Sequence, residues 1–470
     1  MTKEDLTMSD TLHFPVVVVG AGGTGLTAAL AAHDAGVEAL VIERDATPLG
    51  STAMSTGLIP ASGTPEQAAQ GITDSPELFA QDIMAKTKGL TDPDMALAIA
   101  RESVETIVWM RDEHGVPLDL VDGFLYPGHS VRRMYGTPNR TGGELMAALE
   151  DACGKAEIPI LTEATVEEVL HDGARVTGVR YRRPDGVLED VTCDALILAC
   201  SGFAGNPEMV AKFIPDMAAA TFHGHPGNKG DAVRWGEELG AKLEDMTGYQ
   251  GHGGLAMGHG IPILWPLIME GGFQVNLEGK RFSDESAGYS EQAAKVNAQP
   301  EHVAWSIFDE RLHQLMCAFD DYRDALKAGA VVSAQTLEEL AEKIRLPAKA
   351  LGATLADVAA IARGEAQDAW GRRFEERHLL EAPYYAARVT GALFHTQGGL
   401  VVDAEARVCG ANGTPLPNLF AGGGAARGIS GTGSYGYLAG NGLLTATTLG
   451  KVAGRSAARL VQGSVIPNQH

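Results

Sequence analysis

Apolar residues fall along this chain in two rhythms. Short unbroken runs occur at Val16–Val19, Ala39–Ile42 and Ala195–Cys200. Runs of this length, bounded by glycine or an acid, predict strands buried on both faces of a parallel sheet. The segment Val176-Thr177-Gly178-Val179-Arg180-Tyr181 instead alternates apolar and polar positions. It predicts part of an antiparallel meander, with Pro184-Asp185-Gly186 as its turn. Residues 334–362 carry Ala, Leu and Glu at helical spacing and predict helix. Residues 1–13 read as a short polar tail rather than a signal peptide, because no apolar core follows a basic start. No apolar run reaches the length of a membrane span, and no internal repeat or low-complexity linker is visible.

The first two apolar runs frame a turn. Gly20-Ala21-Gly22-Gly23-Thr24-Gly25 fits G-x-G-x-x-G, an Ala/Leu-rich helical stretch follows, and the second run ends in Glu43. Each part has a physical task. Gly20 permits the tight turn, Gly22 lets backbone approach a pyrophosphate, and Gly25 lets helix pack on strand. The helix N-terminus offers N–H groups and a positive dipole end to phosphate. Glu43 places a carboxylate where it can hold ribose hydroxyls. Strand, glycines, helix, strand and acid in that order predict a dinucleotide site.

Gly and Ala are dense over residues 14–63 and again over 398–458. This predicts a nucleotide-binding domain assembled from both ends of the chain, residues 1–245 and 394–470, with a second domain, 246–393, inserted between. A length of 470 residues supports two or three domains. The formal net charge of −23 argues against nucleic acid or an anionic membrane as partner. The five cysteines, Cys153, Cys193, Cys200, Cys317 and Cys409, show no C-x-x-C spacing. No metal site is expected from them, and a reducing cytoplasmic setting is.

Taken together, the motifs resemble those of the FAD flavoproteins of the fumarate reductase and succinate dehydrogenase superfamily. The match rests on GAGGTG with Glu43, on Gly50-Ser51-Thr52-Ala53-Met54-Ser55-Thr56-Gly57, and on Leu198-Ala199-Cys200-Ser201-Gly202-Phe203. It continues through Gly227-Asn228-Lys229-Gly230-Asp231-Ala232, Val275 to Phe282 with Glu285, and His395-Thr396-Gln397-Gly398-Gly399-Leu400. It ends with Asn418 to Gly423 leading to Gly440-Asn441-Gly442-Leu443-Leu444. The resemblance implies an α/β fold, a Rossmann-like FAD-binding domain with an inserted α+β cap. It implies FAD, and hydride exchange between the flavin and a carbon beta to a carbonyl. The residues expected to hold FAD are Gly20, Gly22, Gly23, Thr24, Gly25, Glu43 and Arg44; Gly50, Ser51, Thr52, Ser55 and Gly57; Val166; Cys200, Ser201, Gly202 and Asp231; and Gly423, Gly424, Asn441, Leu443 and Leu444. The 50–57 loop holds no His, so a non-covalent flavin is expected.

Departures from the family pattern narrow the chemistry. Carboxylate reductases of the family carry a proton-donating Arg eight residues after the Arg of the G-K-R-F turn, where this chain has Tyr289. They carry a second Arg, which binds the substrate carboxylate, where this chain has Tyr437. A dicarboxylate would lose its bidentate clamp. The segment Glu285-Ser286-Ala287-Gly288-Tyr289 is similar to that of 3-ketosteroid and cyclic-ketone dehydrogenases, in which a Tyr removes the proton alpha to the ketone. Gly424 stands where the family usually has a Glu against the flavin's ribityl chain. His395, in H-T-x-G-G context, is expected to face substrate and suits an acid group. His252, Tyr126 (in Phe124-Leu125-Tyr126-Pro127-Gly128) and Arg427 are further candidates. The expected reaction is α,β-desaturation of a small cyclic ketone or keto acid, with Tyr289 as base and Tyr437 polarising the carbonyl, and with an electron acceptor that the residues do not name. Reduction of an α,β-unsaturated acid or enone, and a flavin-binding protein without catalysis, are the alternatives.

Overall fold

The protein is described from a computed structural model, for residues 12–122, 125–173 and 175–464. The polar tail expected over residues 1–13 lies outside them except for Leu12 and His13, and so does Phe124.

The valine run grows into the strand Leu12–Val19, whose last four side chains are fully or almost fully buried. It lies inside an eight-stranded sheet between Ala39–Ile42 and Leu188–Leu198, parallel to both. Pro415–Ala421 pairs in parallel with Leu188–Leu198 on its far side, through Leu419 to Ala421. The alternating segment forms Val176–Arg182, antiparallel to both Thr165–His171 and Leu188–Leu198, as a meander requires. Two helices cover the central strands. Gly23–Asp34 follows the glycine turn, and Asn441–Ser464 supplies Leu444, Leu449, Ala453 and Ala457 to the same core.

A second sheet is built on the strand Tyr384–Thr396, which pairs with Val303–Asp309 and Val331–Ala334 in antiparallel fashion. Its own core holds Phe273, Phe308, Leu312, Met316 and Tyr322. The helix expected over 334–362 is broken in two, Leu337–Lys343 and Ala348–Ala362. Thr336 caps the first through the N–H of Glu339, and Pro347 interrupts the ladder before the second.

The described residues form two compact units. The first runs to Asn206, resumes over Gly224–Gly248 and continues from Thr396; the second is Pro207–His223 with Tyr249–His395. The boundaries differ from those expected at three places. Pro207–His223 joins the second unit because Thr221 and Phe222 pair in parallel with Ala392 and Leu393. Residues 246–248 stay with the first, where the Gly248 carbonyl accepts from Gln397 N–H at 2.8 Å. Phe394 and His395 continue the strand of the second.

Candidate functional site

In the first unit the glycine turn has the geometry its spacing predicts. Gly20 sits at φ +103°, and a Cβ there would meet the Ala199 carbonyl oxygen at 2.7 Å. A Cβ on Gly25 would overlap the carbonyl oxygen of Gly20, so the helix can lie this close to the strand only with glycine. Gly22 is different. Its φ is −75°, and a Cβ there would meet nothing nearer than Thr52 Oγ1 at 3.8 Å. The fold itself therefore tolerates a side chain at 22; a pyrophosphate laid against the helix N-terminus does not. Glu43 is buried at the strand end. Its Oε2 accepts from Ala21 N–H at 2.8 Å and its Oε1 from Asp45 N–H at 2.9 Å. Both bonds fix the carboxylate while each oxygen keeps a lone pair for a ribose hydroxyl.

The remaining expected contacts gather in the same unit. Thr52 does local work: its hydroxyl accepts from Gly23 N–H at 3.1 Å and ties the 50–57 loop to the helix start. Ser55 donates to Thr52 O and accepts from Gly57 N–H, shaping the loop from within. Ser51 is held by Asn228, whose amide donates to its Oγ at 3.0 Å. Asn228 is buried and was missed as a site residue, although it stands in the quoted Gly227–Ala232 motif. Arg44 leans over Gly227, where a Cβ would overlap its guanidinium, and contacts Asp45 and His225. Val166 is a buried strand residue. Asp231 opens the helix Asp231–Glu238 and pairs with Arg234 at 3.1 Å. Burial pushes the Cys200 thiol up to about 12, so it stays protonated. Ser201 takes φ +67° next to Gly202, and a Cβ on Gly202 would overlap Thr396 Oγ1. Gly423 packs equally tightly on the Thr24 hydroxyl.

Asn441 begins the long C-terminal helix, ahead of Leu443 and Leu444 in its first turn. Its side chain is fully buried, yet neither Oδ1 nor Nδ2 has a hydrogen-bond partner among the described residues. An orphaned buried amide is costly unless a ligand satisfies it. The donor and acceptor edges of a flavin fit that need, and with the open side of Gly22 they make the residues present a match for FAD.

Tyr437 precedes this helix. Its hydroxyl oxygen accepts from Gly442 N–H at 3.4 Å, and burial pushes the phenol up to about 12. It is a phenol that stays protonated. Tyr126 is half-buried against Leu58, Val121 and Met134, and burial raises its phenol as well. Arg427 sits in a cluster of carboxylates. Its Nε donates to Asp245 Oδ2 and its Nη1 to Glu244 Oε2, each at 2.6 Å. Two carboxylates already engage the guanidinium, which makes it a cross-link within the first unit. Gly424 cannot simply become the family's Glu, since a Cβ there would lie 2.8 Å from the backbone nitrogen of Gly202.

The second unit brings together two of the sequence candidates. Tyr289 is the first residue of the helix Tyr289–Asn297, after Gly288 at φ +146°. Its ring stacks on His252 at 5.4 Å. Phe394 stacks on His252 at 5.4 Å and 8°, and Trp265 meets the imidazole edge-on at 5.7 Å. His252 Nδ1 accepts from Gly254 N–H at 3.1 Å, which leaves the proton on Nε2. Burial pushes this imidazole down to about 3, helped by His223. His252 is thus a neutral donor clamped among rings. Trp265 and Phe394 were missed, because an isolated aromatic in the sequence reads as core. His395 follows Phe394 on the strand and is half-buried.

Just before Tyr289, Glu285 is fully buried between two guanidiniums. It accepts from Arg281 Nη2 at 2.8 Å and Arg372 Nη1 at 3.0 Å, and Arg281 also pairs with Asp368. Burial alone would raise the Glu285 carboxyl; Arg281 and Arg372 outweigh it and hold the group below the usual carboxylate range. This network anchors the segment from which Tyr289 projects. Among the described residues no cluster could hold a metal ion, and no helix is long and apolar enough to cross a membrane.

Comparison with known proteins places the chain in a family. A family model described as FAD binding domain matches residues 15–443. A fumarate reductase (cytochrome) of Shewanella frigidimarina is 31% identical over 447 residues, covering 94% of this chain and 77% of that one. A 4-oxocyclohex-2-ene-1-carboxylate 5-dehydrogenase of Sinomonas cyclohexanicum is 31% identical over 301 residues, 56% of this chain and 51% of the other. The solved 3-ketosteroid-Δ4-(5α)-dehydrogenase of Rhodococcus jostii RHA1, in complex with 4-androstene-3,17-dione, superposes with a TM-score of 0.76 at 26% identity, covering 96% of this chain and 98% of that chain. The chain belongs to the FAD binding domain family of flavoproteins, and it is an FAD-dependent oxidoreductase acting on CH–CH groups.

Proposed function

We propose that this protein desaturates a small cyclic ketone or keto acid between its alpha and beta carbons. The observation that carries the reading is the placement of Tyr289, at the start of a helix and stacked on a neutral His252. Tyr437 is assigned the complementary role. Its buried phenol stays protonated and suits a hydrogen-bond donor to an oxygen gaining negative charge.

In this reading Tyr289 Oη removes the alpha proton and Tyr437 Oη–H stabilises the resulting enolate oxygen. Bound FAD, held without a covalent link, supplies the acceptor for the hydride lost from the beta carbon. His252, neutral with Nε2–H, offers a hydrogen bond rather than a positive charge. His395 accounts for an acid group on the ring. Ketone dehydrogenases among the relatives support the same chemistry.

Anaerobic mixing with 4-oxocyclohexanecarboxylate tests the proposal. The substrate should bleach the flavin, and Tyr289→Phe should slow the bleaching by roughly 10²–10⁴ while leaving FAD content intact. A Tyr289→Phe protein within threefold of the parent rate sinks the proposal. The likeness to a fumarate reductase favours one second reading, reduction of an α,β-unsaturated acid or enone. Reoxidation of prereduced flavin by such compounds, with no bleaching by saturated ketones, would select it.

A further inference from the structure

The loop before the strand Met134–Gly136 grips the turn that carries Tyr437 and Asn441. His129 is buried, and its Nε2 lies 3.0 Å from the carbonyl oxygen of Ala439. A carbonyl only accepts, so Nε2 bears the proton. Nδ1 faces Arg133 Nη1 at 3.5 Å, and a guanidinium only donates, so Nδ1 is the acceptor. Both ring nitrogens are thereby assigned by their partners. Arg133 is itself fixed: fully buried, it pairs with Asp74 at 2.9 Å and Asp82 at 2.6 Å and lies over the Phe79 ring. Asp82 also accepts from Ser130 N–H at 2.9 Å, which closes the loop back on itself. On the other side, a Cβ on Gly128 would meet Leu438 Cδ1 at 2.6 Å. Gly440 takes φ +83°, and a Cβ there would meet Pro60 Cδ at 2.6 Å. The very next residue is Asn441, with its orphaned amide.

We propose that His129 is a positioning residue for the cofactor: its Nε2–H, held by the Arg133 ion pairs, fixes the Ala439 carbonyl and so aims the Asn441 amide at the flavin. Nothing else in the sequence marks it, since a lone His near a Pro-Gly turn reads as a solvated loop residue. Its work is done through Ala439, not by touching substrate.

Three variants test this by titrating apo-protein with FAD and recording the visible spectrum of the bound flavin. Gln places an amide N–H close to the position of imidazole Nε2, whereas Asn reaches only as far as Nδ1, and Leu keeps bulk without a donor. His129→Leu and His129→Asn should weaken FAD binding about fivefold to tenfold, as loss of one buried hydrogen bond does, and should shift the bound-flavin spectrum. His129→Gln should stay within twofold of the parent with an unchanged spectrum. Equal behaviour of Gln and Asn variants, or an unchanged Kd and spectrum in both Asn and Leu variants, overturns the proposal. If the Leu variant fails to fold, the Gln–Asn comparison decides alone. No substrate enters the titration, so its outcome is independent of the ketone reading.

Discussion

Tyr289 and Tyr437 carry one functional group in two settings, and the setting decides what the group can do. Tyr437 is buried, with a backbone N–H on its oxygen, and remains protonated. Tyr437→Phe should therefore leave FAD content and folding intact and cost roughly 10²–10³ in the rate of flavin reduction, the worth of one oxyanion donor. A loss below threefold in single-turnover mixing would remove Tyr437 from the chemistry. Arg427 is a second case in which the setting matters. In sequence it is a cation beside a glycine run; in space Glu244 and Asp245 have already claimed it. Charge alone in a sequence does not say whether a partner is spoken for. At Gly424 only coordinates reveal the close approach of the Gly202 backbone, which a Cβ would meet.

The strand–turn–helix element at the front of the chain was fully legible. Val16–Val19, the glycine spacing and the Ala39–Ile42 run each encode their conformation locally, and the structure follows them almost residue for residue. One prediction belongs to this element. Gly22→Val should fold, because neither backbone angle nor neighbours at 22 demand glycine, and should emerge from purification without flavin. A Gly22→Val protein with full FAD content would show that the phosphates lie elsewhere. What the sequence hid is what depends on distant segments. The ring stack on His252 joins Tyr289, 37 positions along the chain, and Phe394, 142 positions along. Pro207–His223 looked continuous with the nucleotide-binding half until Thr221 and Phe222 were seen paired to Ala392 and Leu393. No local periodicity encodes such pairings. Thr52, Ser55 and Asn228 were legible as members of a loop, but not as the residues that hold that loop in shape.

For the whole molecule, buried imidazoles, His129 and His252 foremost, set an acid limit. His129 is pushed down to about 4 and His252 to about 3, both chiefly by burial. In the unfolded chain each titrates near 6.5. Below that value the unfolded state takes up protons that the folded state refuses, so stability falls with pH from about 6.5 until the folded groups themselves titrate. Each histidine costs about 1.4 kcal/mol per pH unit across that window. Thermal midpoints should hold from pH 8 to 7 and drop between pH 6.5 and 4.5. The drop should be shallower in His252→Gln. A flat midpoint down to pH 4.5 would mean these imidazoles are hydrated. The order of strands in the first sheet carries a separate consequence, for synthesis. Leu196, Ile197 and Leu198 find their partners in Leu419, Phe420 and Ala421, about 200 residues further along the chain. At ribosomal speeds that interval is roughly 10–40 s. Until those residues emerge an apolar strand edge waits unpaired, so the nascent chain is exposed to aggregation while the intervening unit is being made, and a chaperone that shields strand edges would act there.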